Sequence, residues 1–146
     1  MSPQKDDNHD HNNNIEKEQD TIHLQRFPHL YLALNTPKGR AVYPSSRIPR
    51  GTIIDTSPVL ILSRQENTTH IAQTQLYHYT YNWPSTTTTN GQSSRGIPQQ
   101  AVVLGLGSMF NHSTQNQNVG WKRDLERQVI VYTALKDIEV GEELSK

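Results

Sequence analysis

The chain has 146 residues, 14 basic side chains against 14 acidic ones, 32% hydrophobic residues, a mean hydropathy of −0.77 and no cysteine. One small domain is the ceiling, and it has a thin core or an unfolded portion, because ordinary globular chains carry about 45–50% apolar residues when glycine is counted. Lack of cysteine excludes a disulfide framework, a thiolate zinc site and a cysteine nucleophile.

The balanced charge hides an asymmetry. Lys5 and Lys17 stand against Asp6, Asp7, Asp10, Glu16, Glu18 and Asp20, so residues 1–20 sum to −4 and the remainder to +4. A body at +4 lacks the basic face that nucleic-acid binding requires, and no nucleic-acid partner is expected. The start of the chain is polar and its apolar runs are short, so neither a signal peptide nor a membrane span is expected. The expected location is intracellular, in nucleus or cytoplasm.

In chain order, residues 1–22 contain almost no apolar group besides Ile15 and read as a disordered acidic, Asn-rich tail. His9 and His11 flank Asp10 there, a solvated pattern for which no metal site is claimed. Leu30–Leu34, Thr52–Ile54 and Val59–Leu62, bounded by Pro37, Pro44, Pro49 and Pro58, suit short strands. Thr74–Tyr81 suits a short helix. The polar stretch 85–100, with Thr86–Thr89 and Asn90-Gly91, reads as a surface loop. Ala101–Leu104 follows as a strand, Gly105–Asn111 as a short helix, and Gln128–Leu135 as a buried strand, its β-branched Val129, Val131 and Thr133 alternating with Ile130, Tyr132 and Ala134. The class is mainly β with one or two short helices. An internal echo organises it: Ile48-Pro49-Arg50-Gly51-Thr52-Ile53-Ile54 repeats as Ile138-Glu139-Val140-Gly141-Glu142-Glu143-Leu144. Each copy suits a buried Ile entering a turn, a Gly taking a positive φ and a strand leaving it, which implies two related pieces on either side of one small β core.

Chemistry concentrates in Gly107-Ser108-Met109-Phe110-Asn111-His112-Ser113, followed by Asn118-Val119-Gly120-Trp121, with Lys38-Gly39-Arg40-Ala41-Val42-Tyr43 upstream and Gly141-Glu142-Glu143-Leu144 downstream. In this order the motifs resemble the SET domain of protein-lysine methyltransferases, of the small fungal type, over residues 30–146. The resemblance implies a β-clip fold of short strands, S-adenosylmethionine as cofactor, a protein lysine as substrate and no metal. It assigns cofactor binding to Lys38, Gly39 and Arg40, a loop where a missing side chain at Gly39 admits close approach. It adds Asn111 through its amide side chain and His112 through its backbone. The role of Asn118, which stands one residue later than the family spacing, is open. Tyr77, Tyr79, Tyr81 and Trp83 form an aromatic cluster suited either to core packing or to a lysine channel, where ring faces attract an ammonium group; Tyr81 is the channel candidate. His70 and His78 lack a partner at a recognisable spacing and read as structural or surface residues. Asn111-His112-Ser113 and Asn67-Thr68-Thr69 are also formal glycosylation acceptors, a reading that needs a secretory context.

The family's catalytic tyrosine lies a few residues beyond Gly141-Glu142-Glu143-Leu144, past Lys146. The expectation from the sequence is therefore a lysine methyltransferase domain lacking its C-terminal end and inactive as this chain, the alternative being a catalytically silent SET-like interaction module.

Overall fold

The computed structural model describes residues 21–89, 92–95 and 98–146. The tail expected over residues 1–22 lies outside these residues except for Thr21 and Ile22. The chain runs through β1 (Leu30–Thr36), β2 (Gly39–Pro44), β3 (Ile53–Leu62), α1 (Arg64–Thr69), 3-10 turns at Ile71–Gln73 and Gln75–Tyr79, β4 (Thr80–Trp83), β5 (Thr86–Thr89), β6 (Gln92–Arg95), β7 (Gln99–Val103), a 3-10 turn at Leu106–Met109, β8 (Val119–Asp124) and β9 (Val129–Ala134). It is mainly β, with one short α-helix and a curled antiparallel sheet, consistent with a SET-type β-clip fold.

Strand β3 is the hinge of the architecture. Its first half, Ile53–Pro58, pairs with β9, and its second half, Val59–Leu62, pairs with β7, giving the sheet order β4-β7-β3-β9-β8. The sequence suggests two separate segments here, divided by Pro58. They are one strand, because Pro58 stands where β3 changes partners. A proline has no N–H to lose from the ladder there, and its carbonyl still accepts from the Leu104 N–H at 2.8 Å.

Two further expectations gain detail, and one element is new. Within the polar segment 85–100, the described residues carry the paired strands β5 and β6 and the start of β7. The short helix expected over Thr74–Tyr81 is present as the 3-10 helix Gln75–Tyr79, and the last two residues of that range enter β4. Helix α1, unanticipated because it has no apolar face, is set by a capping box: the Ser63 hydroxyl accepts from the Glu66 N–H and the Glu66 carboxylate accepts from the Ser63 N–H.

The internal echo becomes a reciprocal joint. Ile48 and Ile138, both fully buried, exchange both backbone hydrogen bonds at 2.9 Å. The Gly51 N–H donates to Ala134 at the end of β9, and the Gly141 N–H donates to Pro44 at the end of β2. Each turn thus closes on the strand preceding the other, with Gly51 at φ +83° and Gly141 at φ +80°. Arg47 reaches across to Asp137 and Glu139. The core lies between, built from Val42, Ile48, Ile54, Ile130, Tyr132, Ile138 and Leu144 with Trp83, Phe110 and Val119 around them.

Candidate active site

The β1–β2 turn forms one wall of a cleft. Thr36 donates its hydroxyl proton to the Gly39 carbonyl at 2.7 Å and accepts from the Lys38 N–H at 3.2 Å, and Gly39 turns the chain at φ +88°. No atom lies within 4 Å of where a Gly39 Cβ would stand, so within the fold the residue serves backbone conformation, and close approach at this position is not used by the protein itself. The cleft has a volume of about 350 Å³ and is lined by Leu34, Lys38, Gly39 and Arg40 on this side and by Tyr79, Ser108, Met109 and Asn111 on the other. Four of the five residues that the sequence assigns to cofactor binding therefore meet here; His112 is exposed and is not among the lining residues.

Asn111 is tied into the fold by its nitrogen. Its Nδ2 donates to the Arg40 carbonyl at 3.0 Å and to Glu143 Oε1 at 2.9 Å, using both N–H groups and leaving the amide oxygen as its remaining polar group. Glu143 also accepts from Lys38 Nζ at 3.2 Å. This carboxylate connects the two sequence motifs that flank the cleft.

The segment Leu144–Lys146 is threaded between two stretches of chain. On one side the Lys146 N–H donates to the Asn111 carbonyl at 2.9 Å and the Lys146 carbonyl accepts from the Ser113 N–H at 3.0 Å. On the other the Ser145 carbonyl accepts from the Asn118 and Val119 N–H groups at 3.0 and 2.9 Å. Asn118, fully buried, locks this arrangement: its Oδ1 accepts from the Ser145 N–H, and its Nδ2 donates to the Glu143 carbonyl and to Glu142 Oε1. That is the role which the sequence left open.

The cleft's floor is the 3-10 turn Leu106–Met109, pinned by the buried Asp55. One Asp55 oxygen accepts from Arg26 Nε at 2.8 Å; the other accepts from the Leu106 N–H at 3.1 Å and from the Ser57 hydroxyl. Gly107 packs so closely on Tyr132 that a Cβ there would lie 2.1 Å from the ring, so this position tolerates no side chain without rearrangement.

Behind the turn lies an aromatic niche. Tyr81 and Tyr132 hydroxyls are 3.1 Å apart, Trp121 meets the Tyr81 ring edge-on at 5.1 Å between centroids, and Phe110 meets Tyr132 similarly at 5.2 Å. Lys146 Nζ enters this niche, donating to the Gly107 carbonyl at 3.1 Å and to the Tyr81 hydroxyl, 4.5 Å from the Tyr81 ring centroid. Burial pushes the Tyr81 and Tyr132 hydroxyls above the ordinary phenol range, Tyr132 further because its neighbour Tyr81 disfavours a second charge. Burial lowers the Lys146 amine to about 8. The aromatic cluster read from the sequence is divided by the fold: Tyr81 faces the niche, Trp83 joins the core, Tyr79 lines the cleft and Tyr77 is exposed. The sequence assigned no site role to Tyr132, Trp121 or Gly107, since sheet pairing and the turn bring them together from separate segments. Leu34, Ser108 and Met109 likewise had no assigned role.

The SET domain family pattern matches residues 39–145. Over 107 residues the chain is 42% identical to a Schizosaccharomyces pombe histone-lysine N-methyltransferase specific for H3 lysine-37; the match covers 73% of this chain, which spans 64% of that relative's length. In fold it is similar to a Plasmodium falciparum protein assigned as a histone methyltransferase, with TM-score 0.56 and 19% identity over 83% of this chain and 91% of that one. It is also similar to CpSET8 from Cryptosporidium, with TM-score 0.55 and 17% identity over 80% of this chain and 56% of that one. SET-domain methyltransferases use S-adenosylmethionine as a class. By the extent of that pattern, which takes in most of the chain, the chain belongs to the SET-domain family.

Proposed function

We propose, in place of the inactivity expected from the sequence, that the protein transfers a methyl group from S-adenosylmethionine to a lysine of another protein, with the cofactor in the cleft and the lysine in the aromatic niche, where the Tyr81 hydroxyl stands at the amine. The observation carrying this reading is that one turn walls both sites: Gly107 offers its carbonyl to an amine in the niche, while Ser108 and Met109 line the cleft. The cleft is within the volume range of small-molecule sites, about 300–1,000 Å³. Its groups fit the ligand: Lys38 and Arg40 are cations suited to a carboxylate, and the Asn111 amide oxygen is an acceptor suited to an ammonium. We assign His112 a backbone contact to the adenine. The cofactor supplies an electrophilic methyl on a cationic sulfur.

The niche supplies the nucleophile's conditions. A lysine amine normally titrates near 10.4 and must lose its proton to attack. Desolvation favours the neutral form, and the niche already draws the Lys146 amine down to about 8. The Tyr81 ring and hydroxyl and the Gly107 carbonyl orient an amine there, so alignment and fixed dipoles provide the main acceleration.

Histone H3 is the first substrate to test, given the specificity of the relative, and we place the protein in nucleus or cytoplasm. Calorimetric titration with S-adenosylmethionine and transfer of labelled methyl to histone H3 test the reading. Binding together with transfer supports it. Binding without transfer to any protein would favour a silent interaction module, and no binding at millimolar cofactor would overturn the assignment of the cleft.

A further inference from the structure

The niche already holds an amine, and it belongs to the chain itself. Lys146 is fixed at both backbone polar groups by Asn111 and Ser113, and Asn118 holds the residue before it. The side chain is aimed inward, where Nζ meets the Gly107 carbonyl, the Tyr81 hydroxyl and the Tyr81 ring. None of the ion pairs among the described residues involves Lys146. An ammonium held only for charge would be better served by a carboxylate or by water. Two neutral oxygens and a ring face are instead a cradle for an amine that alternates between charged and neutral.

We propose that Lys146 is a methylation site of this protein, its Nζ receiving methyl in cis from S-adenosylmethionine held in the adjoining cleft. The inference rests on the reading of the cleft given above. The neutral Nζ forms the new N–C bond with its lone pair as the S–CH3 bond breaks. That bonding pair stays on sulfur, which becomes a thioether, and the methylated nitrogen releases one proton to solvent. No oxidant, reductant or further reactant is needed.

Two physical features favour the chain's own lysine as acceptor. At pH 7.5 an amine titrating near 8 is neutral roughly 10²-fold more often than an ordinary lysine. The Tyr81 hydroxyl from β4 faces it and in turn accepts from the Tyr132 hydroxyl of β9 at 3.1 Å, with Arg123 of β8 stacked on Trp121 and the charge of Asp55 of β3 acting on Tyr132. Moreover, an acceptor tethered in place needs no docking of a second molecule, and well-aligned intramolecular reactions reach effective concentrations of about 10⁵ M or more. One consequence is that a lysine from another protein must displace Lys146 before it can enter.

The test uses the 146-residue chain with S-adenosylmethionine alone, read by intact mass, peptide mapping and calorimetric titration of the cofactor, and by NMR titration of the Lys146 side chain without cofactor. We expect a mass gain in steps of one methylene mapped to Lys146, at a fractional rate unchanged over a tenfold range of protein concentration. The Lys146 amine should titrate near 8 while exposed lysines titrate near 10.4. Lys146→Arg and Lys146→Met should each lose at least tenfold of the label, and Lys122→Arg should keep it. Cofactor binding with Lys146 unmodified overturns the inference and leaves the proposed function standing. Absence of cofactor binding overturns both. A Lys146 amine titrating as an exposed one, or labelling that rises with protein concentration, also overturns the inference.

Discussion

At the scale of single residues, polar side chains here divide between holding the fold and facing the cleft. Asn118 and Asp55 are buried with their partners inside the protein. Asn111 does both: its nitrogen braces Arg40 and Glu143, and its oxygen is left for a ligand. Asn111→Ala is therefore expected to weaken S-adenosylmethionine binding more than His112→Ala does, since a hydrogen bond to a charged group is worth about 1.5–3 kcal/mol and the His112 side chain is exposed. Calorimetry on both variants decides this, and equal affinity of Asn111→Ala and the parent would remove Asn111 from the cofactor's contacts. That Asn111 and the Lys38-Gly39-Arg40 loop belong to one site was implied by the family resemblance. The Glu143 bridge was not, because its two partners are separated from it by 105 and 32 positions.

At the scale of elements, the repeated Ile-x-x-Gly turn is the strongest link between sequence and fold. Two copies of one local pattern, each with a buried Ile and a left-handed Gly, pair with one another and each seals the strand preceding its twin. A Cβ at Gly51 or Gly141 would meet no atom within 4 Å, so replacement by Ala isolates the cost of the backbone conformation. We expect Gly51→Ala and Gly141→Ala each to lower stability by about 1–2 kcal/mol, read from urea midpoints at constant slope. A change near zero in both would mean the turns relax without consequence for the joint. Helix α1 shows the opposite case: its capping box was readable, but with no buried residue it gave no periodic signal.

At the scale of the whole molecule, the threaded segment places an amine in a partly buried niche, and the fold carries the consequence as a pH dependence. The Lys146 amine falls from its usual value to about 8, so between about 8 and 10.4 the unfolded chain binds more protons than the folded one and stability rises with pH. Tyr81 and Tyr132 shift upward, so their contribution is present up to the ordinary phenol value near 10 and is lost as pH rises beyond it. The window for Lys146 is thus about pH 8 to 10. Urea unfolding of the parent and of Lys146→Met at pH 7 and pH 10 should show the parent gaining relative to the variant. A difference that stays flat with pH would put the amine in solvent.

The sequence by itself determined the β-rich class, the family, the paired turns and four of the residues that line one cleft, because each is written in local chemistry: β-branched runs, proline spacing, glycine turns and short motifs in a set order. Only the tertiary structure decided that Pro58 lies within one continuous strand, that Asn118 is a lock, and that Tyr81, Tyr132, Trp121 and Gly107 enclose the amine of Lys146. Those facts depend on which strands pair and on a segment passing between two others. Such contacts join residues as distant in sequence as Ile53 and Thr133, and no window of neighbouring residues contains them.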